Sequence, residues 1–352
     1  MPRKFYGALL VGLVGLAVLA GVGAALAAAD RSDRLDRFRE LAASRLGLAQ
    51  ILDPDPSTDA YREIYAVLDD EIVENLASGG PFASLDFLQD RLDAFAEVWG
   101  GATLRLVRAD GLFVGAFVLD ERSATNSVRV YGRLAGEGPA LLTALYREGR
   151  PTVYVLPGAR DSGALVVAWE GAPSGWGTRP LRVDLLRRDG DGVRVAWSTA
   201  ELFADGLLAR SWSVRGGDVR IRYEVRYPGW APGCDGQTEE EDVYRVAPAA
   251  TVVRVARQEH DAWHRDLHAT VGRLMSALAA RDETTLAALV PDRALRTQLP
   301  STLRPEPACD AREGAGGNTV SVAAAAGRQP WVLTFRRVGA RWRLTGATRV
   351  LQ

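Results

Sequence analysis

Hydrophobic and polar positions alternate along residues 219–227, which form the clearest local pattern in the chain. Val219 and Ile221 begin one face of this stretch, while Arg220 and Arg222 begin the other. Successive side chains of a strand point to opposite faces. The alternation therefore predicts a strand with one buried and one solvated surface.

The same period of two recurs between residues 101 and 256, in short stretches that Gly-containing turns separate. Two of these turns, at 109–111 and 188–192, have the Asp-Gly pairs that favour tight hairpins. So many short strands with close turns predict an antiparallel meander, packed as a sandwich or a partial barrel. Residues 139–147 start with a proline and are predicted to form a short helix instead.

Helical periodicity is found on both sides of this β-rich stretch. Residues 30–100 place apolar side chains three and four positions apart among many charges, and Ser84 is a predicted helix N-cap. Residues 260–280 predict a long helix, which two shorter helices follow. Strands over 319–347 end the pattern, so the fold class is predicted to be α+β.

An apolar run from Phe5 to Ala29, preceded by Arg3 and Lys4, determines the predicted location. The run exceeds the roughly 20 residues that cross a bilayer, which favours an uncleaved membrane anchor. Small residues near its end leave open the alternative of a signal peptide that is cleaved, with secretion of the rest. Under both interpretations the basic N-terminus stays in the cytoplasm and the bulk of the chain lies outside it.

Three stretches of the C-terminal segment are informative together: Leu-Met-Ser-Ala-Leu-Ala-Ala-Arg-Asp at 274–282, Leu-Ala-Ala-Leu-Val at 286–290 and the terminal hairpin at 331–344. With these stretches the segment resembles the nuclear transport factor two-like and SnoaL-like family. This resemblance implies a cone-shaped α+β fold. That family includes enzymes and noncatalytic pocket domains, so the resemblance implies no particular activity.

These patterns together predict four segments. They are a signal anchor or signal peptide over 1–29, a helical segment over 30–100, an antiparallel β-rich domain over 101–256 and an α+β cone-like domain over 257–352. The formal net charge of −1 in 352 residues gives no electrostatic basis for binding nucleic acid.

The two cysteines, Cys234 and Cys309, lie far apart in sequence near Pro and Gly residues. An oxidising compartment outside the cytoplasm would permit a disulfide between them. Such a bridge would stabilise the fold by about 4 kcal/mol, because it restricts a long loop in the unfolded chain. The alternative is a pair of unpaired thiols.

All three histidines, His260, His264 and His268, fall within nine residues. Residues four apart on a helix share a face, so His260 and His264 are the predicted ligands of a divalent metal ion. The first and third histidines are about 12 Å apart along a helix, so one ion takes two of them at most. The sequence identifies no third ligand, and the alternative is a polar flank on the helix.

The sequence contains no strong catalytic motif, phosphate-binding loop or dinucleotide fingerprint. We therefore predict a noncatalytic bacterial envelope protein, tethered by its N-terminal helix, that binds an envelope protein or a small ligand. No catalytic residue is assigned, and no cofactor other than the metal ion is predicted. An exported hydrolase with a metal-assisted site and a structural spacer are the alternatives.

Overall fold

The computed structural model describes residues 34–43, 59–120, 126–134, 136–156, 164–247, 251–313 and 318–350. The apolar run 5–29, predicted to be an anchor or signal, lies outside these residues. None of the helices within the described ranges is long and apolar enough to cross a membrane. The described chain is α+β with antiparallel sheets, as predicted.

The chain divides into two compact units that differ from the predicted domains. Unit 1 consists of Met1–Ala172, Leu181–Ala204 and Pro248–Thr251, and unit 2 consists of Pro173–Pro180, Asp205–Ala247 and Val252–Gln352. The helical segment 30–100 is therefore not separate from the strands that follow it. The predicted β-rich domain 101–256 is divided between the two units.

Unit 1 contains helices followed by two antiparallel sheets. The helices are α1 (34–43), α2 (Asp59–Ser78) and α3 (Leu85–Trp99). The first sheet has the order β1 (Thr103–Ala109), β2 (Leu112–Val118), β3 (Ser127–Arg133) and β4 (Pro139–Tyr146). The second contains β5 (Arg150–Val155), β6 (Leu165–Glu170), β7 (Arg179–Asp189, which belongs to unit 1 from Leu181 onwards) and β8 (Gly192–Ser198), paired in that order.

Strand β2 shows why helices and strands share unit 1, because it is buried along its whole length. Phe113 and Phe117 lie in the same apolar cluster as the stripes of the three helices. Leu112 and Val114, which alternate with them, lie in a cluster with Trp169 and other residues of the second sheet. The first sheet therefore packs between the helices and the second sheet, and the two sheets face each other as in a sandwich.

The helix predicted over 139–147 is wrong, because these residues form strand β4. The strand pairs with β3 along its length. Leu141 packs against the cluster on the helix side, while Leu142 and Leu145 pack against the cluster between the sheets. Leucine and alanine favour helix in isolation, but the free edge of β3 and two apolar surfaces decide the conformation here.

Unit 2 places an antiparallel meander before an α+β segment. The meander has the order β9 (Leu208–Arg215), β10 (Asp218–Glu224), β11 (Glu239–Val246) and β12 (Val252–His260). Helices α4 (Ala262–Ala280), α5 (Glu283–Leu289) and α6 (Arg293–Gln298) follow it. The last sheet contains β13 (Leu303–Pro305), β14 (Ala311–Glu313), β15 (Thr319–Ala326), β16 (Gln329–Val338) and β17 (Arg341–Arg349).

The core of the second half of unit 2 lies between its helices and its last sheet. Leu274 of α4 and Phe335 of β16 belong to this single apolar cluster. In the meander, the strand predicted over 219–227 is β10, and the side chains of Val219 and Ile221 are buried as expected. The strand ends earlier than predicted, at Glu224.

The predicted disulfide between Cys234 and Cys309 is confirmed. Cys234 belongs to the loop 225–238, which joins β10 to β11. Cys309 lies between β13 and β14. The bond therefore joins two segments that are distant in sequence and belong to the same unit.

Candidate metal centre

Two histidines lie side by side on α4. His264 and His268 are four residues apart, and their ring centroids are 4.6 Å apart. Residues at this spacing share one face of a helix. The two residues expose 3% and 6% of their surface, respectively. Both imidazoles are therefore held in the interior of unit 2.

The carboxylate of Asp310 completes this cluster. Its Oδ2 atom lies 2.7 Å from Nε2 of His268 and 3.0 Å from Nε2 of His264. The Asp310 side chain exposes 3% of its surface. One potential ligand atom from each of the three residues lies within 4.8 Å of the others. The cluster therefore offers two nitrogens and one oxygen to a single point.

His260 does not belong to this cluster, which corrects the helix predicted to begin at that residue. It is the last residue of β12 and pairs with Glu239 of β11. Asp261 then adopts a left-handed conformation, with φ of 51°, and α4 begins at Ala262. The strand ladder therefore holds His260 off the helix. Residues four apart share a face only within a helix, so the rule applies to His264 and His268 but not to His260 and His264.

Tyr227 orients the ring of His264. Its hydroxyl lies 2.6 Å from Nδ1 of His264 and accepts a hydrogen bond from the backbone N–H of Thr238. With that acceptor site used, the tyrosine O–H is free to donate to Nδ1, and Nε2–H then donates to Asp310. In a metal-bound form Nε2 supplies its lone pair, so Nδ1–H would donate to Tyr227 instead.

Gly229 allows the loop 225–238 to lie against the other histidine. A Cβ atom on Gly229 would overlap the imidazole ring of His268. Its φ of 92° is also one that L side chains rarely adopt. Glycine is therefore required here for two reasons, and the close backbone holds the His268 ring in place.

The pKa values of two groups describe the electrostatics of the cluster. Burial acts to raise the pKa of Asp310. The hydrogen bonds and charges of His264 and His268 lower it by a larger amount, so the pKa of Asp310 lies below its usual range. Burial raises the pKa of Tyr227 above its usual value, although the hydrogen bonds of Thr238 oppose this shift. Asp310 is therefore a carboxylate at neutral pH, and Tyr227 remains a neutral phenol.

Asp310 differs from the other buried carboxylates in having no permanent cation beside it. Asp242 pairs with Arg257, Asp184 pairs with an arginine of its own strand, and Asp69 pairs with Arg129. Within the described ranges, the ion-pair partners of Asp310 are two imidazoles, which are charged only when protonated. Burying a carboxylate without a compensating charge is costly. A bound cation would supply that charge.

A second buried carboxylate, Asp242, is paired with Arg257 and has a structural role in the meander, where it links β11 to β12. Arg257 donates to both carboxylate oxygens at 2.8 and 2.9 Å. The hydroxyl of Tyr244 donates to the same carboxylate, and the hydroxyl of Tyr223 lies 3.2 Å from it and 2.8 Å from the carboxylate of Glu240. Both carboxylate oxygens therefore already accept from donors of the protein itself, and Arg257 supplies the compensating charge.

We expect Asp242→Asn to lower the free energy of unfolding by about 1.5–3 kcal/mol, since it removes the charged acceptor of the Arg257 and Tyr244 hydrogen bonds, although Arg257 keeps Glu240 as a partner. Urea denaturation of the full chain measures this loss. Asp218→Asn is the matched control, because Asp218 makes a solvent-exposed pair with Arg245 and should cost at most about 1 kcal/mol. Equal losses of stability in the two variants would contradict the structural role assigned to Asp242.

The same comparison has a predicted pH dependence. Burial acts to raise the pKa of Asp242. Hydrogen bonds from Arg257 and Tyr244 lower it by a larger amount, so the pKa of Asp242 lies below its usual range. The stabilisation from this carboxylate is thus complete above the unfolded pKa of about 3.9 and is lost as the pH falls below it. We expect the difference in stability between wild type and Asp242→Asn to narrow progressively as the pH falls below about 4. A constant difference down to pH 2 would contradict this.

Sequence reasoning identified His264 but missed His268, Asp310 and Tyr227 as members of the cluster. His268 was within reach, because its spacing from His264 fits a helix that starts at Ala262. Asp310 follows Cys309 directly, and Cys234 lies in the loop that carries Tyr227. The predicted disulfide was therefore the one signal that placed Asp310 near this loop.

Comparisons with known proteins do not assign the chain to a family. No protein-family profile matches it, and no curated protein matches it. A crystal structure of a protein from Lactobacillus plantarum, a structural genomics target, aligns with a TM-score of 0.24 and 11% sequence identity. The alignment covers 70% of this chain and 55% of that protein, so the chain matches little more than half of its length.

Proposed function

We propose that this protein is a noncatalytic, exported binding protein, tethered to a bacterial membrane by residues 5–29. Its small ligand is a divalent transition-metal ion, held by His264, His268 and Asp310. One observation carries the proposal: a carboxylate with 3% exposure is flanked by two imidazole nitrogens and by no permanent cation among the described residues. A metal ion supplies the missing positive charge at that point.

The ligand set indicates the class of metal. Imidazole nitrogen with one carboxylate oxygen suits Zn²⁺ and its first-row neighbours, whereas Ca²⁺ and Mg²⁺ prefer oxygen ligands alone. Tetrahedral Zn²⁺ at about 2.1 Å from each ligand separates the ligand atoms by about 3.4 Å. The N···O distances here are 2.7 and 3.0 Å. Small side-chain rotations would therefore open the cluster enough.

Free-energy magnitudes favour the ion over the existing hydrogen bonds. Binding replaces two N–H···O bonds to a charged acceptor, each worth about 1.5–3 kcal/mol. Structural Zn²⁺ in zinc-finger peptides, which supply four ligands, is bound with about 10–16 kcal/mol near neutral pH, and about half of that would already offset the lost hydrogen bonds. The exchange is therefore favourable.

Burial favours a binding role over the hydrolase and spacer alternatives. Three protein ligands leave the fourth position of a tetrahedral ion to water, but the ligand side chains here are almost completely covered, which restricts the access of a substrate to that position. The raised pKa of Tyr227 also disfavours its use as a nucleophile. The order of α4–α6 before β13–β17 supports, as part of the proposal, the cone-like fold that the family resemblance implies for this segment.

Titration with Zn²⁺ by calorimetry, using the full chain in detergent, tests the proposed function. We expect wild type to bind one equivalent and His268→Asn to bind more than 100-fold more weakly, because even indirect partners of metal ligands affect affinity by 10–100-fold. His260→Asn is the matched control and should bind as wild type does, since His260 lies outside the cluster. Absence of binding to wild type, or equal binding by His268→Asn, would refute the proposal.

A further inference from the structure

The disulfide and the metal centre share two segments of chain. Cys309 directly precedes Asp310, the acidic ligand. Cys234 lies in the loop 225–238, whose Tyr227 bonds to His264 and whose Gly229 lies against His268. One covalent bond therefore joins the segment that supplies Asp310 to the loop that orients both histidines.

The loop side of this bond is rigid. The amide side chain of Gln237 is buried, accepts a hydrogen bond from the backbone N–H of Ala231, and donates to the carbonyl oxygens of Ala231 and Cys234. Thr238, which follows, donates its N–H to Tyr227 and its hydroxyl to the carbonyl of Asp261. Cys234 is thus fixed by a network that does not involve the disulfide.

The Asp310 side of the bond is much less supported. Residues 306–309 are exposed, and they lie between two strands of three residues each, β13 and β14. These short strands pair with β15 on either side of the exposed stretch. A segment with few buried contacts opens locally at low free-energy cost. The disulfide therefore ties a weakly held ligand segment to a rigid loop.

We infer that the Cys234–Cys309 disulfide positions Asp310 for metal binding, so that the affinity of the centre depends on the redox state of this bond. The inference rests on the proposed function. Cys309 acts here as a positioning residue, because it holds the Asp310 carboxylate opposite two fixed imidazoles. Preorganising a ligand in this way increases affinity by removing the conformational entropy lost on binding.

The chemical step is thiol–disulfide exchange with a dithiol reductant. A thiolate of the reductant attacks the sulfur of Cys309, which is exposed whereas Cys234 is buried. The S–S bond breaks, Cys234 leaves as a thiolate and is protonated, and a mixed disulfide forms. The second thiol of the reductant then releases Cys309 as a thiol. The protein gains two electrons and two protons, and the dithiol becomes a disulfide.

The first test compares Zn²⁺ affinity in the full-length oxidised wild type and in Cys234→Ala/Cys309→Ala. Alanine is used because free thiolates bind Zn²⁺ themselves. We expect the double variant to bind one equivalent with at least tenfold lower affinity. Equal affinities would overturn the inference and leave the proposed function intact. Failure of the wild type to bind Zn²⁺ would overturn both.

A second test needs no cysteine substitution, because coupling between two equilibria is reciprocal. If the disulfide raises Zn²⁺ affinity tenfold, then Zn²⁺ must make the disulfide tenfold harder to reduce. This factor corresponds to a shift of about 30 mV to a more negative reduction potential. The potential is measured in glutathione buffers with saturating Zn²⁺ and with a chelator, for wild type and for His268→Asn.

We expect the negative shift in wild type and none in His268→Asn. An unchanged potential in a wild type shown to bind Zn²⁺ would overturn the inference. A shift to a more positive potential, the result expected if the freed thiolates capture the ion, would overturn it as well. Because this measurement uses the natural cysteines, misfolding of the double alanine variant cannot imitate or hide the result.

Discussion

Replacing Asp310 by asparagine should abolish the stabilisation that Zn²⁺ gives to the wild-type protein. An ion at 1,000 times its dissociation constant stabilises the folded state by about 4 kcal/mol. The Asp310→Asn variant removes the only anionic ligand among His264, His268 and Asp310, and a neutral amide cannot offset the charge of the ion. Thermal unfolding with and without Zn²⁺ at the same concentration measures the difference.

Asp261→Asn is the matched control for this experiment. Asp261 is the N-cap residue of α4, and its carboxylate bonds to Trp263 and Arg312 at the surface. It is therefore an acid near the start of the helix that lies outside the proposed ligand set. We expect Zn²⁺ to stabilise this variant as much as wild type. Equal stabilisation of Asp310→Asn would show that Asp310 is not a ligand.

Local patterns predicted much of the fold. Alternation identified β10, and the Asp-Gly turn at 109–111 correctly predicted the hairpin of β1 and β2. Ser84 caps α3 by accepting a hydrogen bond from the N–H of Phe87, as expected. These features depend on residues within one turn or one hairpin, where conformation follows directly from side-chain spacing and turn chemistry.

Features that depend on contacts between distant parts of the chain were predicted less well from the sequence. Strand β4 and the division of the β-rich stretch between two units depend on which surfaces meet, and composition does not specify this. Helix α4 begins at Ala262, two residues later than predicted, because Asp261 adopts a left-handed conformation. Nothing in the sequence around Asp261 predicts this conformation. Because of that small error the predicted metal pair was His260 and His264, whereas the structure brings His264 and His268 together.

Asp310, the third residue of the cluster, illustrates the limit most clearly. Asp310 is separated from His268 by 42 residues, and nothing in its local sequence distinguishes it from other acids. Only its place next to Cys309, combined with the predicted bridge to Cys234, carried positional information. A disulfide predicted from composition is therefore also a distance restraint, and acids or histidines next to its cysteines are candidates for one shared site.

A second polar cluster, in unit 1, contrasts with the metal centre because its charges are already neutralised. Arg129 of β3 donates to Asp69 of α2, whose carboxylate also accepts from the hydroxyl of Tyr131. Arg129 further donates to the hydroxyl of Tyr146. Burial acts to lower the pKa of Arg129, but the hydrogen bond and charge of Asp69 raise it by a larger amount. The guanidinium therefore stays charged. We assign this cluster a structural role.

Asp69→Ala should therefore destabilise the protein by about 3–5 kcal/mol, because it leaves a buried guanidinium without its counter-charge. Urea denaturation measures the loss. The triple variant Asp69→Leu/Arg129→Met/Tyr131→Phe replaces the whole cluster with apolar groups of similar volume. Since an isolated buried charge costs more than the pair contributes, we expect this variant to recover most of the lost stability.

The comparison between the single and triple variants separates two explanations of the cluster. If the interaction itself provides net stability, the triple variant will be as unstable as Asp69→Ala, and the structural assignment must include a specific gain from the ion pair. If desolvation offsets most of that gain, as we expect for side chains this well covered, the triple variant will approach wild type. Among the described residues no guanidinium pairs with Asp310, so we expect its response to depend on added metal rather than on a second substitution.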